Sequence, residues 1–206
     1  MAPRYKKTVR DQVMQETRQL LMEAAAEEFA QNGYDKANVN RIAEAAGFAI
    51  GTVYNYFPSK RVLMLAFIDD TAQLHVDYVL AQVKSEQDPG QRIEAFFKAG
   101  FAFVETYTTQ AKAVFNTLNG PDEEFKARLF QGYQPLFQLL SDDVIAPNIA
   151  LGDFRQVDPV ATAGLLMLIY LGTGSQFSPE GELWMDYTQV ADFVLHSLKS
   201  GKENLR

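Results

Sequence analysis

The residues best equipped for chemistry fall in one short stretch. Thr52, Tyr54, Asn55 and Tyr56 follow the tight corner Gly47-Phe48 and precede Pro58, so hydroxyls and an amide recur along one short helix while Val53 and Phe57, four apart, point inward. Hydroxyls and amides serve as partners for phosphate oxygens and base edges. Gly51 lacks a side chain where such a helix would come closest to a duplex, and Lys60 joins an ammonium to the start of the next helix, a ready phosphate site. Plainer readings stand beside these: Tyr54 and Tyr56 as partly buried aromatics with hydroxyls in water, and Asn38 as a helix cap.

Catalytic arrangements are missing. His75 and His196, the two histidines, lie on separate helices with no glutamate at zinc-motif spacing, and they read as surface or interface residues. There is no glycine-rich phosphate loop and no nucleophile elbow. The pairs Asp69-Asp70, Glu123-Glu124 and Asp142-Asp143 are adjacent, which on a helix points them about 100° apart, so they read as solvated faces. Absence of cysteine removes disulfides, thiolate metal sites and thiol nucleophiles. A binding protein is expected, neither an enzyme nor the holder of a cofactor or metal.

With 206 residues, 47% of them hydrophobic and 22% charged, the chain can bury a core without staples. Its net charge of −7 is unevenly spread. Residues 1–62 carry nine Lys and Arg against seven Asp and Glu, the remainder 10 against 19, and Arg4, Lys6, Lys7 and Arg10 form a basic arm over residues 1–10. A basic head on an acidic body suggests that only the head meets a polyanion. The N-terminus has no apolar stretch or cleavage site of a secretory signal, and the longest apolar run, Ala163–Leu171, falls well short of the roughly 20 residues that span a bilayer. A cytoplasmic protein without a membrane segment is expected.

The elements that must position these residues are helical throughout, since no strict apolar/polar alternation bounded by turns occurs. About nine helices are predicted. The first covers about Asp11 to Asn32, with Met14, Leu21, Ala25 and Phe29 facing inward and Gly33 as its stop. Asn38 caps the second, and Gly47 ends it; the third starts near Ala49 and stops before Pro58; Ser59 caps a long fourth helix to about Glu86. Aromatic fifth and sixth helices follow, then a seventh from Asp122 toward Ile149 kinked at Pro135, an eighth opened by Asp158-Pro159, and a ninth over Gly181 to Lys199. The composition shift places the seam between a 1–62 domain and a 63–206 domain, with a helix-turn-helix at about 38–57. One helix of such a motif crosses the phosphate backbone and the second enters the major groove, although any helical bundle can contain two short helices.

The residues themselves go further. Phe29-Ala30-Gln31-Asn32-Gly33-Tyr34, then Val39-Asn40-Arg41-Ile42-Ala43-Glu44-Ala45-Ala46-Gly47, then Gly51-Thr52-Val53-Tyr54-Asn55-Tyr56-Phe57-Pro58-Ser59-Lys60 closely resemble the DNA-binding domain of TetR-family transcriptional regulators, in register and without gaps over about residues 13–65. The resemblance implies that Asn38, Thr52, Tyr54, Tyr56 and Lys60 meet phosphates and that Asn40, Ile50 and Asn55 face base edges; Arg41 and Gly51 join this DNA-facing set. Ala49 and Ile50 depart from the common pattern, which removes a hydroxyl cap and favours an apolar contact such as a thymine methyl.

For the body the resemblance implies a homodimer on a palindromic operator and a small-molecule inducer. The eighth helix is apolar on nearly every side, and the ninth carries an apolar stripe with Trp184, Phe193 and Leu195 left over, so Leu165, Leu168, Tyr187, Val190, Val194 and Leu198 are assigned to a twofold interface; closing the monomer core is the alternative. Phe97, Phe101, Phe115, Tyr133, Phe137 and Tyr170 are expected to wall a pocket for a hydrophobic or aromatic inducer, with Asn116 and Asn119 as polar anchors, although core packing explains the aromatics equally. A repressor released by its inducer is the expectation. A DNA-bound structural factor without an inducer, and a helical carrier that binds no DNA, are the alternatives.

Overall fold

The structure, a computed structural model, describes residues 4–178 and 182–200. Its elements are α1 (Arg4–Lys36), α2 (Val39–Ala45), α3 (Ile50–Tyr56), α4 (Lys60–Ser85), a 3-10 turn (Pro89–Gln91), α5 (Arg92–Thr106), α6 (Thr108–Leu118), α7 (Glu123–Gln138), a π-helical stretch (Leu139–Ile145), α8 (Ala146–Leu151), α9 (Pro159–Gly174) and α10 (Tyr187–Leu198). Extended pairing among the described residues is limited to two isolated bridges, Phe154 with Lys199 and Phe177 with Leu183. The chain is all-α, and none of these helices is long and apolar enough to cross a membrane.

Helix boundaries follow local chemistry, and some differ from expectation. Helix α1 already starts at Arg4, since nothing between there and Asp11 breaks a helix, and its main segment stops at Gly33 as expected, where a non-helical φ of 65° makes a kink before one further turn to Lys36. After α2, Gly47 at φ 76° lets the Phe48 amide reach the Ala43 carbonyl at 2.9 Å and its own amide reach that of Glu44 at 3.0 Å. This paired closure fixes the corner. The expected seventh helix is divided. Pro135 brings no amide to the ladder, and four residues later the helix widens into the π stretch before α8 resumes. The ninth helix begins late, at Tyr187, because Asp186 and Gln189 form a reciprocal capping box there.

Two compact units emerge. One contains residues up to Thr71 together with Lys112–Arg128; the other contains Ala72–Ala111 and the residues from Leu129 onward. Their division in α4 therefore falls at Thr71/Ala72 where composition put it at 62/63, and helices α6 and α7 are likewise divided between them. The first unit buries Leu21, Ala25 and Phe29 of α1, Ile42 of α2, Val53 of α3 and Leu63 and Phe67 of α4, with the rings of Phe29 and Phe67 5.7 Å apart.

The second unit overturns the reading of His75 as a surface residue: it is 4% exposed and stacked on Phe103 at 4.0 Å. Tyr170 Oη lies 3.1 Å from the Gly100 carbonyl, which can only accept, so the single hydroxyl hydrogen of Tyr170 points there. His75 Nε2, 2.8 Å from the same oxygen, must then carry a hydrogen, and Nδ1 accepts from the Tyr133 hydroxyl at 2.8 Å. The chain from Tyr133 through His75 and Tyr170 to Gly100 is thus satisfied with a neutral imidazole. Burial holds His75 down to about 3 and raises both tyrosines above their ordinary value.

Helix α10 also corrects an expectation. Val190, Val194 and Leu198 are buried in the protomer, where α10 packs on α5, so this stripe is core and not a twofold face. Tyr187 is half-buried beside it. Leu165 and Leu168, 60% and 64% exposed on α9, remain outside, as does Phe193 at 69%.

The histidine chain sets a pH dependence. An imidazole near 6.5 when unfolded and about 3 when folded binds its proton in the unfolded state first, so stability is full above 6.5 and falls as pH drops below it. Between pH 7 and 5, above the carboxylate range, this should remove about 2 kcal/mol, seen in urea unfolding, and His75→Gln should abolish most of that loss.

Candidate nucleic-acid interface

The α2–α3 hairpin is held from its inner side by one carboxylate. Glu28 lies on the inward stripe of α1, seven residues from Leu21, and is buried. It accepts from the Asn38 backbone amide at 2.8 Å, from Arg41 Nη2 at 2.5 Å and from Arg41 Nε at 3.1 Å. Arg41 is the main cause that keeps this carboxyl below its usual range. Arg41 also donates to the Lys36 carbonyl. Asn38 caps α2, its Oδ1 accepting from the Asn40 amide at 2.8 Å. Both residues, assigned to DNA from sequence, have tasks inside the head.

Helix α3 presents the outward face. Val53 and Phe57 are buried, whereas Ile50, Gly51, Tyr54 and Asn55 are exposed, and Thr52 and Tyr56 are half-buried. Positions 50, 51, 54 and 55 share one side of the helix. Asn40 is exposed on α2. Ala49 gives α3 no side-chain cap, as its departure from the family pattern implies. A Cβ added to Gly51 would meet no protein atom within 4 Å. Lys60 departs from the expected role: its Nζ donates to the carbonyls of Tyr34, Asp35 and Ala37 at 2.8, 3.1 and 3.1 Å. Of the basic arm, the side chains of residues 4–8 lie outside the described set; Arg10 is exposed.

The expected pocket residues divide between the two units. Phe115, Asn116 and Asn119 belong to the first unit, and Phe97, Phe101, Tyr133, Phe137 and Tyr170 to the second. Asn116 donates to the Phe29 and Ala30 carbonyls at 3.2 and 2.9 Å, and Asn119 to that of Phe115, so neither amide stands open as an anchor. Tyr133 and Tyr170 close on His75, and Phe97 is fully buried. Phe101 does border open space, a cleft of about 550 Å³ that Leu183, Met185 and Tyr187 also line. Glu28 and His75 were missed in sequence. Both stand on inward stripes, which is a legible signal that a polar group needs a partner.

Residues 21–67 match the sequence pattern of the family described as bacterial regulatory proteins, tetR family. Residues 21–67 therefore form a TetR-type DNA-binding domain. Its relatives include the fatty acid metabolism regulator protein of Bacillus subtilis, 21% identical over 89% of this chain and 94% of that protein. Among solved structures, the transcriptional regulator FadR of Bacillus subtilis in complex with stearoyl-CoA superposes with a TM-score of 0.75 at 19% identity, covering 89% of this chain and 98% of that one. AibR in complex with isovaleryl coenzyme A and operator DNA gives 0.73 at 20% identity, with the same coverage. At these identities the solved structures show a shared fold, the named relatives are regulators and not enzymes, and the assignment of α3 to DNA recognition follows from the resemblance of this domain.

Gly51 gives this assignment a sharp test. Since its Cβ would meet only what approaches from outside, Gly51→Ala should stabilise the free protein by about 0.5–1 kcal/mol in urea unfolding while weakening binding to a selected operator. Asn55→Ala should shift sequence preference in a base-substituted duplex panel, whereas Tyr54→Phe should weaken all duplexes about equally.

Proposed function

We propose that this protein is a TetR-family regulator, a homodimeric repressor of a palindromic operator that is released by a hydrophobic acyl compound. The observation that carries the DNA part is the uncovered face of α3 on a head otherwise packed on its inner side. Two of the solved relatives hold acyl-CoA compounds, which supports an acyl ligand here. The cleft beside Phe101 is within the range of small-molecule sites, and its walls combine Leu183, Met185 and Tyr187 with Glu105, Glu182 and Asp186 against one ammonium, Lys98. Carboxylates in excess repel phosphates, so this cleft suits the apolar tail more than a polyanionic headgroup.

Dimerisation is assigned to the outward side of α9 and to Phe193 of α10. Val160, Leu165, Leu168 and Phe193 are apolar and more than half exposed, which a lone protomer leaves in water. A twofold pair would place two recognition helices at the roughly 34–36 Å that successive major grooves require. Ligand and operator then oppose one another reciprocally, and a coupling of about 1–3 kcal/mol gives a 5- to 150-fold loss of operator affinity.

The test is selection of bound duplexes from a random library, followed by titration of stearoyl-CoA, isovaleryl-CoA and free fatty acids into the complex. An enriched palindrome and release by at least one acyl compound are expected. Enrichment without release by any of them would favour a structural DNA-bound factor, and no enrichment a carrier. For the dimer, Leu168→Glu should yield a folded monomer in light scattering, while Val194→Glu should instead destabilise the protomer by several kcal/mol, because it buries an unpaired carboxylate.

A further inference from the structure

The helix-turn-helix leaves the remainder of the head at Ala37 and returns to it at Pro58. Lys60 lies two residues beyond that return. The three carbonyls it meets, those of Tyr34, Asp35 and Ala37, lie on the chain that leads into α2. An ammonium has three hydrogens, and these three acceptors use them all. They lie at the end of α1, where carbonyls lack intrahelical partners and the helix dipole is negative. The ammonium also stands 4.7 Å from the centre of the Tyr34 ring, which forms a T-shaped pair with Phe125 at 4.6 Å.

We propose that Lys60 is a positioning residue for operator reading, clasping the entry and exit of the α2–α3 hairpin, and not a phosphate contact. The inference rests on the DNA-binding reading of the head. It follows that Lys60 serves base recognition more than phosphate attraction. Base-edge contacts require α3 in a narrow range of placement, while phosphate contacts tolerate more. A charge already answered by protein carbonyls also contributes little to the release of counterions from DNA.

The experiment compares the parent, Lys60→Met and Lys60→Arg on a duplex selected by the parent and on a random duplex, across a salt series. For Lys60→Met, the clasp predicts a loss of about tenfold or more on the selected duplex, little change on the random one, and an unchanged salt slope. Arginine should not rescue it, because a planar guanidinium does not converge on three carbonyls. Equal losses on both duplexes, a slope smaller by about 0.9, and rescue by arginine would overturn the proposal in favour of a phosphate contact. Should Lys60→Met not fold, nitrogen-15 spectra of the parent's lysine ammonium groups decide: a protected Lys60 signal unmoved by the selected duplex supports the clasp, and a signal that shifts on binding refutes it. A parent that prefers no duplex at all would instead remove the DNA-binding reading and the clasp with it.

Discussion

Two helices of seven residues each cannot hold themselves, and the outward side of the second must stay uncovered to read anything. Isolated helices shorter than about 12–15 residues are marginal in water, so α2 and α3 exist only through what their inner sides touch. Apolar contact supplies one part, with Val39, Ile42, Val53 and Phe57 buried beside Phe29 and Phe67. Polar contact supplies the other. Glu28 ties the start of α2 and Arg41 to α1, and Lys60 ties the end of α1 to the start of α4. Both partnerships face inward because the outer side has no stability to offer.

The same constraint explains where the head's cations go. Besides Arg41 and Lys60, Arg18 pairs with Asp70, Arg61 with Asp122 and Glu124, Lys126 with Glu123 and Arg128 with Asp69. Pairing with Arg61 is the main cause that holds Asp122 below the ordinary carboxylate range. Most of the described cations of the head are therefore answered within the protein. Among the described side chains of the head, the exposed Arg10 and Lys36 stand outside these pairs. The outward side of α3 offers hydroxyls, an amide and an isoleucine, which under the proposed function would let an acidic chain meet DNA through one small face.

Much of this was legible in the sequence because its signals are local. Gly47, the Asn38 cap, the inward pair Val53 and Phe57, and the Ser59 cap all act within a few residues of themselves, and the structure places each as its local chemistry requires. What escaped depends on distant partners. His75 meets residues 58 and 95 positions away, and Asn116 reaches back 86 and 87 positions to α1. Apolar stripes carry a different ambiguity: Val190, Val194 and Leu198 have the spacing of a dimer face and of a core face alike, and only the position of α5 decides for the core.

Where the proposed acyl ligand could enter is decided by the same distant contacts. Opening the space between Tyr133 and Tyr170 would strand buried hydroxyls and the His75 nitrogens, at about 1–3 kcal/mol for each unpaired group. Gly100 tightens this further, since even a Cβ there would stand 2.5 Å from the Tyr170 ring. These aromatics pack too closely and are hydrogen-bonded too fully to yield to a ligand at small cost. The cleft beside Phe101 is already open, so filling it removes apolar surface from water without breaking a buried hydrogen bond. Phe101 borders this cleft but is itself almost fully buried, so the surface that a ligand would cover there belongs mainly to Leu183, Met185 and Tyr187.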